Sequence, residues 1–340
     1  MIFTRAKILY GEGKYSSALQ SIRQLKGARL QNVANGTSSE ELAYLEALTL
    51  SKLGMAPAAK TAWKKIAANP DSYYGQLAAQ QLGISPTPSH DGSSGASVCE
   101  SGVDRSREEA IDRLSRKRRP FLNEDAGTRD VVGELMFLQL WDEASFWIDH
   151  TRRPDARLAA DLGYASGRYD RAITHARRIS GSGPATQALL YPAGFRETIC
   201  RAAVQNGVDP LWLHAIIWQE SKYNPSAVSG ASARGLMQFI PDTAEALAAK
   251  AGVPDLTLDK LYDPDTSIRL GAYYWSSLLS EFESPELALA AYNAGPDNVR
   301  RWRDKWPGSP EFFVLDIGFT ETKRYVQAVF GARAVYGRGN

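Results

Sequence analysis

The segment that most constrains this chain is its most apolar run, Leu211-Trp212-Leu213-His214-Ala215-Ile216-Ile217-Trp218. Asp209-Pro210 precedes it and Gln219-Glu220-Ser221 follows it. Asp at the N-cap with Pro at the first helical position is a helix start signal. A helix that is apolar on nearly every face must be buried, so a domain has to pack around it. Glu220 then closes a buried helix, where it is poorly hydrated and faces the negative end of the helix dipole. Both influences favour the neutral acid and raise its expected pKa. A carboxyl held partly protonated near neutral pH can donate a proton to a glycosidic oxygen. The plainer alternative is that Glu220 marks where the chain reaches water.

The residues that follow bear on that choice. Ser229 to Gly235 is rich in small residues and glycine, which suits a close backbone turn where a ligand can approach. Gly235-Leu236-Met237-Gln238 leads through Pro241 into a second helix, with Asp242 or Thr243 near its start. Ala291-Tyr292-Asn293-Ala294-Gly295-Pro296 ends a helix on a Gly-Pro stop signal. Glu321-Thr322-Lys323 opens the last helix.

Four motifs in this order, Glu220-Ser221, Gly235-Leu236-Met237-Gln238, Ala291-Tyr292-Asn293-Ala294-Gly295 and Glu321-Thr322-Lys323, resemble the soluble lytic transglycosylases. The catalytic domain of that family has a goose-type lysozyme-like fold. Leu190-Tyr191-Pro192, Leu261-Tyr262-Asp263-Pro264 and Tyr73-Tyr74-Gly75-Gln76-Leu77-Ala78-Ala79 add to the resemblance. Three positions depart from the family pattern: Ser232 where Gly is common, Lys323 where Arg is usual, and Ser267 where Asn is frequent. The departures touch expected substrate affinity, since none removes a proton-transfer group.

The resemblance implies a peptidoglycan-cleaving enzyme with no cofactor and no metal. Glu220 would protonate the oxygen between N-acetylmuramic acid and N-acetylglucosamine. As a carboxylate it would then take the proton from the sugar's own C6 hydroxyl, closing a 1,6-anhydro ring. Substrate-binding roles fall to Ser221, Met237, Gln238, Tyr292, Asn293 and Glu321. Gln238 can offer amide hydrogen bonds. Met237 is a soft apolar neighbour or core filler. Tyr292 is a donor near the scissile sugar, and Asn293 orients a helix end or an acetamido group. Ser221 bonds Glu220 or local backbone. Glu321 is either the best second acid or a helix N-terminal carboxylate. Trp302 and Trp306 are candidates for sugar stacking or for core. Two alternatives stay open. One is a goose-type hydrolase with Glu321 or Asp242 as second acid, and the other is a non-enzymatic helical-repeat scaffold.

The first 190 residues read as helix pairs. Ala6 to Ile22 turns at Gly13-Lys14-Tyr15, Glu41 to Ala67 turns at Gly54, and Ala159 to Ile179 turns at Gly167-Arg168-Tyr169. The pattern resembles tetratricopeptide-like solenoids, a region that would hold glycan strands or dock protein partners. The expected organisation is all-α. A helical-repeat region covers 1–83, a Ser/Gly/Pro-rich linker 84–106, further repeat helices 107–190, and the lysozyme-like catalytic domain 191–340, with a small hairpin near Ser226 to Gly235.

Charge excludes one class of partner. The chain carries a formal net charge of +2, and residues 191–340 hold 15 basic and 17 acidic side chains, so there is no nucleic-acid footprint. Arg113 to Arg119 is the one basic cluster, read as a solvated helix face or an anionic-polymer contact. No apolar stretch is long enough for a membrane span, and no signal core is visible near Met1. The periplasmic location expected comes from the resemblance. Cys99 and Cys200 read as free thiols or core filler, and the four histidines match no metal-ligand spacing.

Overall fold

A computed structural model describes residues 2–27, 38–84, 99, 105–116, 128–181, 183–305 and 310–338. In chain order the helices are α1 (Ile2–Gly11), α2 (Tyr15–Gly27), α3 (Ser39–Lys52), α4 (Ala56–Ala67) and α5 (Tyr73–Gln81). They continue with α6 (Arg105–Arg116), α7 (Thr128–Phe137), α8 (Trp141–Asp149), α9 (Ala156–Ala165), α10 (Tyr169–Ala176) and α11 (Pro184–Leu190). The C-terminal set is α12 (Arg196–Asn206), α13 (Pro210–Ser221), α14 (Pro241–Ala248), α15 (Pro264–Phe282), α16 (Pro285–Ala294), α17 (Pro296–Lys305), α18 (Pro310–Asp316) and α19 (Thr320–Gly337). The fold is all-α as expected. Among the described residues the only β pairing is two isolated bridges, Val228 with Arg234 and Arg234 with Phe239, where a hairpin was expected.

The repeat turns follow from glycine. Gly13, Gly54 and Gly167 all take positive φ (75°, 72° and 75°), a region costly to residues with a Cβ, and each joins two packed helices. Ser38 starts α3 with a capping box: Glu41 N donates to Ser38 Oγ, and Ser38 N to Glu41 Oε2.

By packing, the chain divides into two compact units, residues 1–89 with 277–334 and residues 90–276 with 335–340. This division cuts the expected 191–340 segment after residue 276. The first unit is held by contacts between its two chain segments. The Tyr73-Tyr74-Gly75-Gln76 stretch packs on α19: Gln76 Nε2 donates to Phe330 O at 3.2 Å, Gln327 Nε2 to Tyr74 OH at 3.3 Å, and Tyr73 meets Phe330 edge-on. Lys323, 9% exposed, donates from Nζ to Glu41 Oε1 at 2.7 Å and to Leu315 O at 2.9 Å. Tyr10 stacks on Phe312. The departure at Lys323 therefore concerns packing: its ammonium is committed to a buried ion pair.

In the second unit, buried Asp161 accepts from Arg113 and from Arg157. Arg113 is thus engaged with a buried acid, while Arg116 pairs with Asp112 on the exposed helix face. The rest of the expected basic cluster, 117–119, lies outside the described residues, as does most of the expected linker 84–106. Cys99 and Cys200 correct the sequence reading. They form a disulfide across a separation of 101 residues, with Cα atoms 5.7 Å apart. Two cysteines so far apart carry no spacing signal, so only the fold reveals that they meet.

Candidate functional site

Helix α13 runs over the residues expected of it. Asp209 caps it by accepting from Leu211 N at 2.9 Å, and every residue from Pro210 to Ile217 is buried. Burial ends one turn before the carboxylate: Trp218, Gln219, Glu220 and Ser221 are half-buried. Trp218 closes the last turn. Its Nε1 donates to Leu190 O at 2.8 Å, and Tyr191 stacks on its ring at 4.8 Å, so Leu190 and Tyr191 pack on this end of α13. Ser221 Oγ donates to Ile217 O at 3.2 Å, a local backbone role.

The chain then reverses through two consecutive non-glycine residues with left-handed φ, Lys222 (52°) and Tyr223 (62°). Lys222 Nζ sits 3.8 Å from the Trp218 ring centroid and donates to Trp218 O and Gln219 O. Burial, with some help from Arg177 and opposed by Glu220, pulls the Lys222 ammonium down to about 8. Tyr223, 1% exposed, reaches back to His214, with OH to Nδ1 at 2.5 Å. Tyr336 OH donates to Pro192 O and lies 3.3 Å from Tyr223 OH. His214 is fully buried, and its pKa falls to about 3, chiefly from desolvation and further from Arg196. It is therefore a neutral imidazole. Burial likewise pushes the Tyr336 phenol well above its ordinary range. The sequence reading singled out neither Lys222 nor Tyr223. The signal available was an apolar helix followed by Lys-Tyr without a glycine to make the turn.

The Gly-Leu-Met-Gln turn is anchored in the same unit. A Cβ on Gly235 (φ 77°) would lie 1.9 Å from Leu261 O, so only glycine fits. Met237 is 0% exposed, with its thioether against Gly271, and its N donates to Ser267 Oγ at 3.2 Å. Its surroundings are those of core filler, and Ser267 acts as an anchor for the turn. Gln238 (φ 52°) donates from Nε2 to Ala227 O at 3.1 Å and Gly235 O at 2.9 Å. Its amide donors are thus committed to the turn, which leaves Oε1 as the group a ligand could engage. Arg234 Nη1 donates to Tyr262 OH at 3.2 Å, tying the turn to Leu261-Tyr262-Asp263-Pro264. Asp242 is exposed in the first turn of α14.

The remaining expected residues lie in the other unit, where two motifs meet. Asn293 Oδ1 accepts from Thr322 Oγ1 at 2.7 Å, and Tyr292 stacks parallel on Tyr325 at 6.5 Å. Glu321 is exposed in the first turn of α19, the setting of a helix N-terminal carboxylate. Trp302 is half-buried against Phe313 and Phe319, and Trp306 lies outside the described residues. Among the described residues no group of three or more His, Cys, Asp or Glu could hold a metal ion.

Known proteins similar to this chain share one domain type. Residues 197–311 match the Transglycosylase SLT domain. The chain is 38% identical over 146 residues to a putative soluble lytic murein transglycosylase of Haemophilus influenzae, covering 42% of this chain and 24% of the relative. It is 33% identical over 150 residues to the soluble lytic murein transglycosylase of Salmonella typhimurium, covering 43% and 23%. An inactive Glu→Gln mutant of the lytic transglycosylase Slt from Pseudomonas aeruginosa superposes with a TM-score of 0.70 at 26% identity, over 99% of this chain and 51% of that one. The matched segment is thus about a quarter of the length of these curated relatives, and the chain spans about half of the solved structure. The chain thus carries, over residues 197–311, a Transglycosylase SLT domain that includes helix α13 and Glu220 and is similar to that of soluble lytic murein transglycosylases.

Proposed function

We propose that this protein is a lytic transglycosylase that cleaves the β-1,4 bond between N-acetylmuramic acid and N-acetylglucosamine in peptidoglycan and leaves a 1,6-anhydro end. The observation that carries the reading is Glu220, a carboxyl closing an otherwise buried helix inside the SLT domain. Glu220 protonates the leaving oxygen, and Lys222, which acts electrostatically on Glu220, balances the carboxylate that results. That carboxylate takes the proton of the C6 hydroxyl as the hydroxyl attacks C1. Nucleophile and electrophile belong to one sugar, so ring closure gains from proximity. The inactivity of a Glu→Gln mutant of the Pseudomonas relative supports an essential glutamate in such a domain.

In the unit that holds Glu220, Gln238 Oε1 binds glycan, with Ser221 and Met237 supporting it; in the other unit the binding roles fall to Tyr292, Asn293 and Glu321. Residues 191–340 form the catalytic domain, and the helix pairs of 1–83 and 107–190 hold glycan strands or partner proteins. A periplasmic location accords with the substrate and with the Cys99–Cys200 disulfide, since reducing compartments rarely keep one. The described helices include none long and apolar enough to cross a membrane.

The test is mass spectrometry of muropeptides released from purified murein by the wild type and by Glu220→Gln. A 1,6-anhydro product that the variant does not form is the expected result. A reducing product, heavier by one water, would mean lysozyme-type hydrolysis with a second acid. No product from either protein would favour the scaffold reading.

A further inference from the structure

Two consecutive non-glycine residues with left-handed φ directly follow Glu220-Ser221. Each such residue is strained and persists only where its surroundings over-determine it. Here the determinants are side chains that fold back onto α13 itself. Lys222 caps the carbonyls of Trp218 and Gln219, the two residues just before Glu220, and its ammonium rests on the Trp218 ring. Tyr223 drives its ring into the core and bonds His214, more than a turn up the same helix. Tyr336 and Pro192 back the phenol from the far side. The strain is therefore sustained by bonds whose common effect is to fix the backbone on either side of Glu220.

We propose that Lys222 and Tyr223, with His214 as the anchor of Tyr223, are positioning residues that hold the Glu220 carboxyl in its proton-transfer geometry. The proposal rests on the reading of Glu220 as the acid. Neither side chain needs to touch the sugar. The Lys222 donors are directed at helix carbonyls, and the Tyr223 hydroxyl is buried. Their contribution is to remove the freedom of a helix end that would otherwise fray, and misplacement of about 1 Å can cost on the order of 100-fold in rate.

Two variants test this on the full chain. Tyr223→Phe keeps the ring and removes the hydroxyl. Lys222→Gly removes the ammonium but takes φ 52° without strain, so its Tm is expected to hold. On a soluble glycan chain, at a temperature where circular dichroism shows both variants folded, each should lose about 100-fold in kcat. KM should stay near the wild-type value, because the interaction removed acts on the reacting group and not on glycan binding. The second readout is the ¹³C titration of the Glu220 carboxyl in Tyr223→Phe, which leaves the Lys222 charge in place; it should move whether or not the variant turns over. An unchanged kcat in both variants together with an unchanged Glu220 titration in Tyr223→Phe overturns the proposal, even if Tyr223→Phe melts earlier. If the wild type releases no anhydro product while the Glu220 titration still moves, the function reading fails and the positioning role stands.

Discussion

The Glu-Thr-Lys motif at the head of α19 and the Glu220 helix α13 both bury polar groups, but in different currencies. At α19, Lys323 Nζ meets Glu41 Oε1 at 2.7 Å, a charged pair linking residues 282 apart in sequence. At α13, His214, Tyr223 and Tyr336 form a neutral chain of imidazole and phenols. A buried charge needs its partner outright, because the one left behind is stranded in a poor dielectric. A neutral chain tolerates an incomplete set of bonds: His214 Nε2 is buried with no hydrogen-bond partner. The charged region is thus fragile to substitution, and the neutral one is fragile to pH. The carboxyl proposed to do the chemistry lies on the helix that carries His214, three residues before Tyr223.

The largest expected effect separates the acids of the two regions. Glu220→Gln should lower anhydro-product formation by about 10³-fold, within the range for loss of a general acid–base. Glu321→Gln, at an exposed helix start, should cost less than about tenfold, as expected for a residue that does not transfer the proton. Equal losses in the muropeptide assay would erase the distinction and favour a two-carboxyl mechanism.

The ion pair comes next. Lys323→Met leaves Glu41 buried and unpaired, at a cost of about 3–5 kcal/mol in urea denaturation. Adding Glu41→Gln should recover most of it, since Gln still completes the capping box with Ser38. A single variant that loses less than about 1 kcal/mol, the worth of an exposed pair, would contradict the burial described. Reduction of Cys99–Cys200 acts on the other unit. It releases a loop of about a hundred residues and should cost about 2–4 kcal/mol. Hydrogen exchange under reducing conditions should then accelerate in α6 and α12 while α3 and α5 keep their protection. Uniform acceleration would mean that the two units melt as one.

These residues also mark where the sequence stops being informative. Helix α13 was legible to its ends, because an all-apolar run between Asp-Pro and a polar stretch has one folded solution. The repeat turns at Gly13, Gly54 and Gly167 were legible because positive φ selects glycine. Lys323 was read as a substrate-side departure, yet its partner Glu41 lies in a helix near the other end of the chain. The Cys99–Cys200 bond and the commitment of the Gln238 amide to Ala227 and Gly235 carbonyls were equally hidden. Each is a single long-range or turn-specific pairing with no periodicity behind it. Local chemistry could say what these side chains are able to do, but not which partner had already claimed them.

The smallest expected effect concerns pH and falls on the neutral network alone. The folded His214 titrates near 3 and the unfolded one near 6.5. Above about pH 6.5 both states hold it neutral, and it contributes no pH dependence. Below that, the unfolded chain takes up a proton that the folded protein refuses, so stability falls with decreasing pH until about pH 3. At 1.36 kcal/mol per pH unit, the loss between pH 6.5 and pH 4.5 is about 2–3 kcal/mol. Urea denaturation at the two pH values, compared between wild type and the double variant His214→Phe/Tyr223→Phe, isolates this share. The double variant removes both polar partners together, which avoids leaving one of them stranded. Its stability should fall less steeply over that window. Parallel slopes would show that His214 titrates in the folded protein as it does in the unfolded chain, and the contrast between a charged α19 and a neutral α13 would be lost.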